Sequence, residues 1–293
     1  MLTGCIVALV TPMQESGEID FIALRKLVEF HIKAGTAAIV SMGTTGESAT
    51  LSCDEHIKVV LKTLEYAAGR IDVIAGNGAN STAVAIEMSQ RLENSGIVAG
   101  LNVTPYYNKP TQEGLYQHFK HIAQSSKLPQ ILYNVPARTA VDLLPETIGR
   151  LAKIDNIIGI KEATGDLSRL LSIKKLVPEN FLLYSGDDAT CCDFMLQGGD
   201  GVISVSCNIA PQLMNTMSQL AISGDTKAAL KINAQLIPLY DTLFIEANPI
   251  PVKWACAKLG LISSADCRLP LTILDVKYQQ TLENALTEVK LIS

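Results

Sequence analysis

The strongest constraint on how this chain folds is an alternation that runs eight times through residues 4–222 without a break. A short apolar run rich in β-branched residues is each time followed by a segment whose apolar positions recur at helical spacing. The apolar runs fall at 4–10, 37–42, 72–76, 97–103, 130–133, 157–161, 181–184 and 202–205. The helical segments fall at 20–35, 52–69, 81–94, 113–125, 145–153, 167–176, 189–196 and 211–222. Strict alternation implies parallel strands joined by right-handed crossovers, and eight such units close a (β/α)₈ barrel. An open doubly wound sheet usually has fewer units and a glycine fingerprint after its first strand, and none stands here.

Residues 225–293 read as helices only, over 226–246, 251–259 and 271–291. No Pro/Ser-rich linker sets them apart. The expected organisation is an α/β TIM barrel over 1–224 with a helical appendage over 225–293 packed on it.

Composition limits what such a barrel can serve. A chain of 293 residues that is 48% hydrophobic can bury a large core, and only 18% of it is charged. The formal net charge of −5 offers no basic surface for nucleic acid. No apolar run approaches the ~20 residues that span a bilayer, so no membrane association is expected. Leu2-Thr3-Gly4-Cys5 looks like a lipoprotein cleavage box, but only four residues precede Cys5, without a basic or apolar region. The seven cysteines form no CxxC pair, and Cys191 and Cys192 are adjacent. They read as reduced, mostly buried thiols of a cytoplasmic protein.

In a parallel barrel the active site lies at the carboxyl ends of the strands, whatever the chemistry. The sixth strand ends in Lys161. Most lysines there mark the return of the chain to water, but by the period of two Ile157, Gly159 and Lys161 share one face. An inward Lys161 would then have the small Gly159 behind it. The second strand is followed by Gly43-Thr44-Thr45-Gly46-Glu47-Ser48, whose tight turn can bring backbone amides and hydroxyls onto a carboxylate. After the fourth strand stands Thr104-Pro105-Tyr106-Tyr107-Asn108, and after the fifth Tyr133-Asn134-Val135-Pro136-Ala137-Arg138-Thr139. Any one of these tyrosines is an ordinary packing residue. Together the strand ends supply a nucleophile, phenolic proton carriers and carboxylate binders.

His31, His56, His118 and His121 all fall on predicted helices away from strand ends, which argues against an imidazole base and a metal site. No cofactor is expected. Gly198-Gly199-Asp200-Gly201 precedes the eighth strand and so belongs to the end opposite a phosphate site. The chemistry this lining permits is covalent amine catalysis. A desolvated lysine amine attacks a ketone, and the imine loses a proton to become an enamine that adds to an aldehyde. A tyrosine can carry the protons.

GTTGES (43–48), TPYY (104–107), YNVPART (133–139), GIKEATGD (159–166) and GGDGVISV (198–205) closely resemble the 4-hydroxy-tetrahydrodipicolinate synthase family, formerly called dihydrodipicolinate synthase. The resemblance runs over essentially the whole chain in matching order. It implies a barrel with C-terminal helices, assembled as a homotetramer, that condenses pyruvate with L-aspartate 4-semialdehyde on the way to diaminopimelate and lysine. It makes Lys161 the Schiff-base lysine and Tyr133 the proton donor and acceptor. Thr44 and Tyr107 complete a relay, with Tyr107 supplied across a subunit interface. Thr45 and the Ile203 backbone would hold the pyruvate end, and Arg138 the semialdehyde carboxylate.

Two alternatives stand beside this reading. N-acetylneuraminate lyase and the keto-deoxy-sugar aldolases share the lysine and the YNxP strand end, but generally lack an arginine two residues past that proline. A pyruvate-binding barrel without activity is the other. The resemblance also implies a lysine-binding regulatory site at Ser48, Ala49, His56, Asn80 and Tyr106. Cys53 and Val84 stand where a histidine and a glutamate would be expected, so that site reads as degenerate.

Overall fold

A computed structural model describes residues 2–292. Eight parallel strands form a closed barrel in sequence order. The first four units are β1 (Gly4–Ala8) with α1 (Phe21–Ala34), β2 (Ala38–Ser41) with α2 (Cys53–Ala67), β3 (Asp72–Gly76) with α3 (Thr82–Leu92), and β4 (Ala99–Val103) with α4 (Gln112–Ser125). β5 (Gln130–Asn134) is followed by a short α5 (Pro136–Thr139) that the apolar periodicity does not announce, then by α6 (Pro145–Leu151). β6 (Ile157–Glu162) with α7 (Leu167–Lys174), β7 (Leu182–Ser185) with α8 (Cys191–Leu196), and β8 (Gly201–Ser204) with α9 (Pro211–Ile222) close the ring. The C-terminal helices are α10 (Thr226–Thr242), α11 (Ile250–Lys258) and α12 (Val276–Glu288). No helix among the described residues is long and apolar enough to cross a membrane.

Local chemistry sets the helix ends. The Asp20 carboxylate accepts from the Ala23 amide at the start of α1, and Gly35 ends it in the left-handed conformation. Ser52 and Glu55 form a reciprocal capping box on α2. Inside the barrel, Ile6, Ala8, Val40, Ile74, Ile131, Tyr184 and Ile203 pack into one cluster. The outward strand residues pack against the helices. Each such fully buried aliphatic side chain contributes about 1.5–3 kcal/mol.

β6 departs from simple alternation. Gln130 pairs with Ile157 but Ile131 with Gly159, so the register shifts by one residue. Ile157 therefore packs outward against the helices, not on the face of Lys161. Gly159 does not make the room for the lysine either. A Cβ there would lie 2.6 Å from the Leu182 carbonyl oxygen, so this glycine serves the approach of β7. The space beside the Lys161 stem comes from Gly186, where a Cβ would lie 2.8 Å from Lys161 Cε.

The C-terminal helices are anchored at the carboxyl end of the barrel. Lys253 of α11 donates to Glu47 Oε1 at 2.6 Å, and both side chains are 0% exposed. The Arg268 amide donates to Glu47 Oε2 at 2.9 Å, and the Arg268 guanidinium spans both Glu55 oxygens. Lys253 also donates to the Asp266 carbonyl. Glu47 adopts the left-handed conformation at φ 60°, which a non-glycine residue keeps only when its surroundings hold it.

Candidate active site

Lys161 and Tyr133 are each the penultimate residue of their strand, and they pair in register across β5 and β6. Both point into the mouth, with Lys161 Nζ 4.5 Å from the centre of the Tyr133 ring. Lys161 is 6% exposed and has no hydrogen bond or ion pair among the described residues. Lys253, the other buried lysine, is neutralised by Glu47. Lys161 borders the cavity without such a partner, so the two lysines serve different ends.

The strand ends that carry this pair are clamped from behind. Glu162 faces outward and accepts from Arg169 Nε at 3.1 Å, from Asn134 Nδ2 at 3.2 Å and from the Thr164 amide at 2.9 Å. Asp142 bonds both Arg169, at 3.0 Å, and Asn134, at 2.8 Å. The termini of β5 and β6 are thus tied on the face opposite the cavity.

The cavity above Lys161 has a volume of about 450 Å³, and its lining includes Thr44, Thr45, Tyr133, Arg138, Lys161 and Gly186. Thr44 and Thr45 come from the loop after β2. The Gly46 and Glu47 amides there are engaged by the Gly43 and Thr44 carbonyls, whereas the Thr44 and Thr45 amides have no backbone acceptor, so this loop offers a ligand amides as well as hydroxyls. Arg138 lies in α5, which Pro136 opens directly after β5. It forms no ion pair among the described residues, and its one side-chain hydrogen bond runs to the Asn248 carbonyl at 3.3 Å. Ile203 is buried in the barrel interior and does not line the cavity, where Val205 stands instead. Tyr107 is not part of it either. It is 90% exposed at φ 74°, on the outer surface of this chain.

A second cavity of about 650 Å³ adjoins the first and shares Thr44, Val135, Arg138 and Asn248 with it. Ser48, Ala49, Cys53, His56, Val84 and Tyr106 line it. Asn80 is beside it, donating to the Tyr106 carbonyl at 3.2 Å. His56 corrects the expectation that every histidine lies away from strand ends, since its Nε2 meets the Gly76 carbonyl at the end of β3 at 2.6 Å. A carbonyl only accepts, so Nε2 carries the proton. Burial holds this imidazole below its ordinary pKa, partly offset by that hydrogen bond.

Sequence reasoning missed Asn248, Lys253, Gly186 and the role of Glu47. One signal was available. α11 is apolar nearly all round, and a lysine on such a helix requires a buried partner.

The sequence profile of the Dihydrodipicolinate synthetase family matches residues 1–289. The 4-hydroxy-tetrahydrodipicolinate synthase of Psychromonas ingrahamii is 69% identical over 293 residues, covering 100% of both chains. That of Escherichia coli strain HS is 58% identical over 292 residues, also covering 100% of both. The crystal structure of the chloride-inhibited dihydrodipicolinate synthase of Acinetobacter baumannii, complexed with pyruvate, is 50% identical and matches with a TM-score of 0.98 over 100% of both chains. With sequence and fold in agreement from end to end, the chain belongs to the dihydrodipicolinate synthetase family.

Proposed function

We propose that this chain is a 4-hydroxy-tetrahydrodipicolinate synthase, a lyase that condenses pyruvate with L-aspartate 4-semialdehyde through a Schiff base on Lys161. The observation that carries the reading is the buried, unpaired Lys161 against the Tyr133 ring in a cavity that also holds Arg138. Lys161 Nζ attacks C2 of pyruvate, and loss of water gives the imine. Removal of a C3 proton gives the enamine, whose C3 attacks the aldehyde carbon, and the new alkoxide takes a proton. The semialdehyde amine then displaces Lys161 from C2 and closes the ring.

Tyr133 carries the protons, relayed by Thr44 and by Tyr107 of a neighbouring subunit. Thr45 holds the pyruvate carboxylate, and Arg138 takes that of the semialdehyde, as a bidentate guanidinium does. Residues 1–224 form the catalytic barrel and 225–293 the helical region that completes its mouth, in a cytoplasmic homotetramer. The support for a shared site is the outward Tyr107, which is 90% exposed and lies outside this chain's own cavity. Sedimentation as a species of four 31.5 kDa chains is the expected result, and a monomer that turns over at full rate would remove the relay through Tyr107.

Incubation with pyruvate and borohydride, followed by peptide mass mapping, tests the mechanism. A reduced pyruvyl adduct on Lys161 is expected, with turnover on the semialdehyde and not on sugar aldehydes. An adduct on another lysine would reject the assignment.

Lysine is expected to inhibit weakly or not at all. Val84 cannot pair with an ammonium, and the one carboxylate lining that cavity, Glu47, is taken by Lys253 and Arg268. A titration with half-inhibition in the micromolar range would contradict this.

A further inference from the structure

The segment between α10 and α11 places Asn248, 5% exposed, against both cavities. Its side-chain Nδ2 donates to Thr45 Oγ1 at 3.0 Å, and its backbone carbonyl receives the Arg138 guanidinium at 3.3 Å. One residue of the C-terminal region thereby touches both groups assigned to the substrate carboxylates. With Nδ2 facing Thr45, the Thr45 oxygen is the acceptor in this bond, and Asn248 Oδ1 lies buried without a partner among the described residues. The Thr45 hydroxyl, on a residue 2% exposed, then has no acceptor for its own proton among the described residues.

We propose that Asn248 is a positioning residue that fixes Thr45 as a hydrogen-bond donor toward the carboxylate of the keto-acid substrate. An acceptor at position 248 would capture the Thr45 proton and turn its lone pairs toward the cavity, where they would oppose an anion. The inference rests on the imine reading above and adds to it the group that selects an α-keto acid over a neutral ketone. The Arg138 contact uses the backbone, so it survives substitution of the side chain.

Asn248→Asp keeps the shape and reverses the donor, while Asn248→Leu removes the donor without adding charge. The readout is the pyruvate concentration giving half-maximal borohydride-trapped adduct on Lys161, with KM for both substrates, kcat and the thermal midpoint measured alongside. A hydrogen bond to a charged group governs about tenfold in affinity or more. Half-saturation by pyruvate is expected to rise at least about tenfold in Asn248→Asp and several-fold in Asn248→Leu. The semialdehyde KM and kcat are expected to stay within a factor of about two, and the thermal midpoint of Asn248→Leu within a few degrees, a split that general loss of structure does not produce. Placing Asn248→Leu in a Thr45→Val background is expected to add nothing further. Unchanged pyruvate half-saturation in Asn248→Asp, with the wild type trapping normally, would overturn the inference alone. A wild type that traps no pyruvate on Lys161 would overturn the imine reading and this inference with it.

Discussion

Replacing Lys161 by alanine is expected to lower turnover by about 10³-fold, a little over 4 kcal/mol of barrier, and to abolish the borohydride-trapped adduct. Without the amine there is no imine to accept the electrons left at C3, and the remaining groups can only bind and orient the two substrates. Lys161→Arg is expected to lose the adduct as well, because a guanidinium stays protonated and does not attack a ketone. The fold is expected to survive both changes, since Lys161 has no hydrogen bond or ion pair to lose and borders a cavity. Kinetics with the semialdehyde and a thermal melt on the same preparation check both halves. Turnover within tenfold of wild type in Lys161→Ala would reject the covalent mechanism.

Lys253→Met is expected to act in the opposite manner, on stability before chemistry. It leaves the Glu47 carboxylate buried at 0% exposure with the Arg268 amide as its remaining partner. Breaking one side of a buried ion pair costs about 3–5 kcal/mol, which for a domain of this size is on the order of 10 °C in Tm. The double replacement Glu47→Met with Lys253→Met is expected to regain part of the loss, because two apolar groups bury without a charge. Recovery is incomplete, since the Arg268 amide and Asp266 carbonyl lose their partner. Thermal or urea unfolding checks the series, and a Lys253→Met melt within about 2 °C of wild type would refute the account. Activity should fall as well, because Glu47 anchors the loop that carries Thr44 and Thr45.

The barrel and the lysine at its mouth were legible because each rests on a short-range pattern. Eight periodic repeats announce eight units, and a strand end announces a site. Two of the C-terminal helices came out shorter than their periodicity suggests, α10 ending at Thr242 where 226–246 reads as helical and α12 covering Val276–Glu288 where 271–291 does. Leu269-Pro270-Leu271 is apolar yet not helical, with a turn at Leu269-Pro270, and Pro270 and Leu271 line the second cavity. The face of Ile157 was misread because a register shift leaves no mark in a sequence that is apolar on both sides of it. Asn248 and the Glu47–Lys253 pair were invisible for a different reason. Their partners lie 203 and 206 residues away, and no local period records such distances. Gly186 escaped notice because what matters there is a missing atom beside another strand's side chain.

The wall common to the two cavities has a consequence for how such a protein can change. Thr44, Val135, Arg138 and Asn248 face both chambers, so a substitution that reshapes one chamber through these positions reshapes the other. Only the outlying positions are independent, such as Cys53 and Val84 on one side and Ala163 and Phe244 on the other. Drift in ligand preference of the larger chamber is therefore confined to its far rim, while the partition evolves at the pace the chemistry allows.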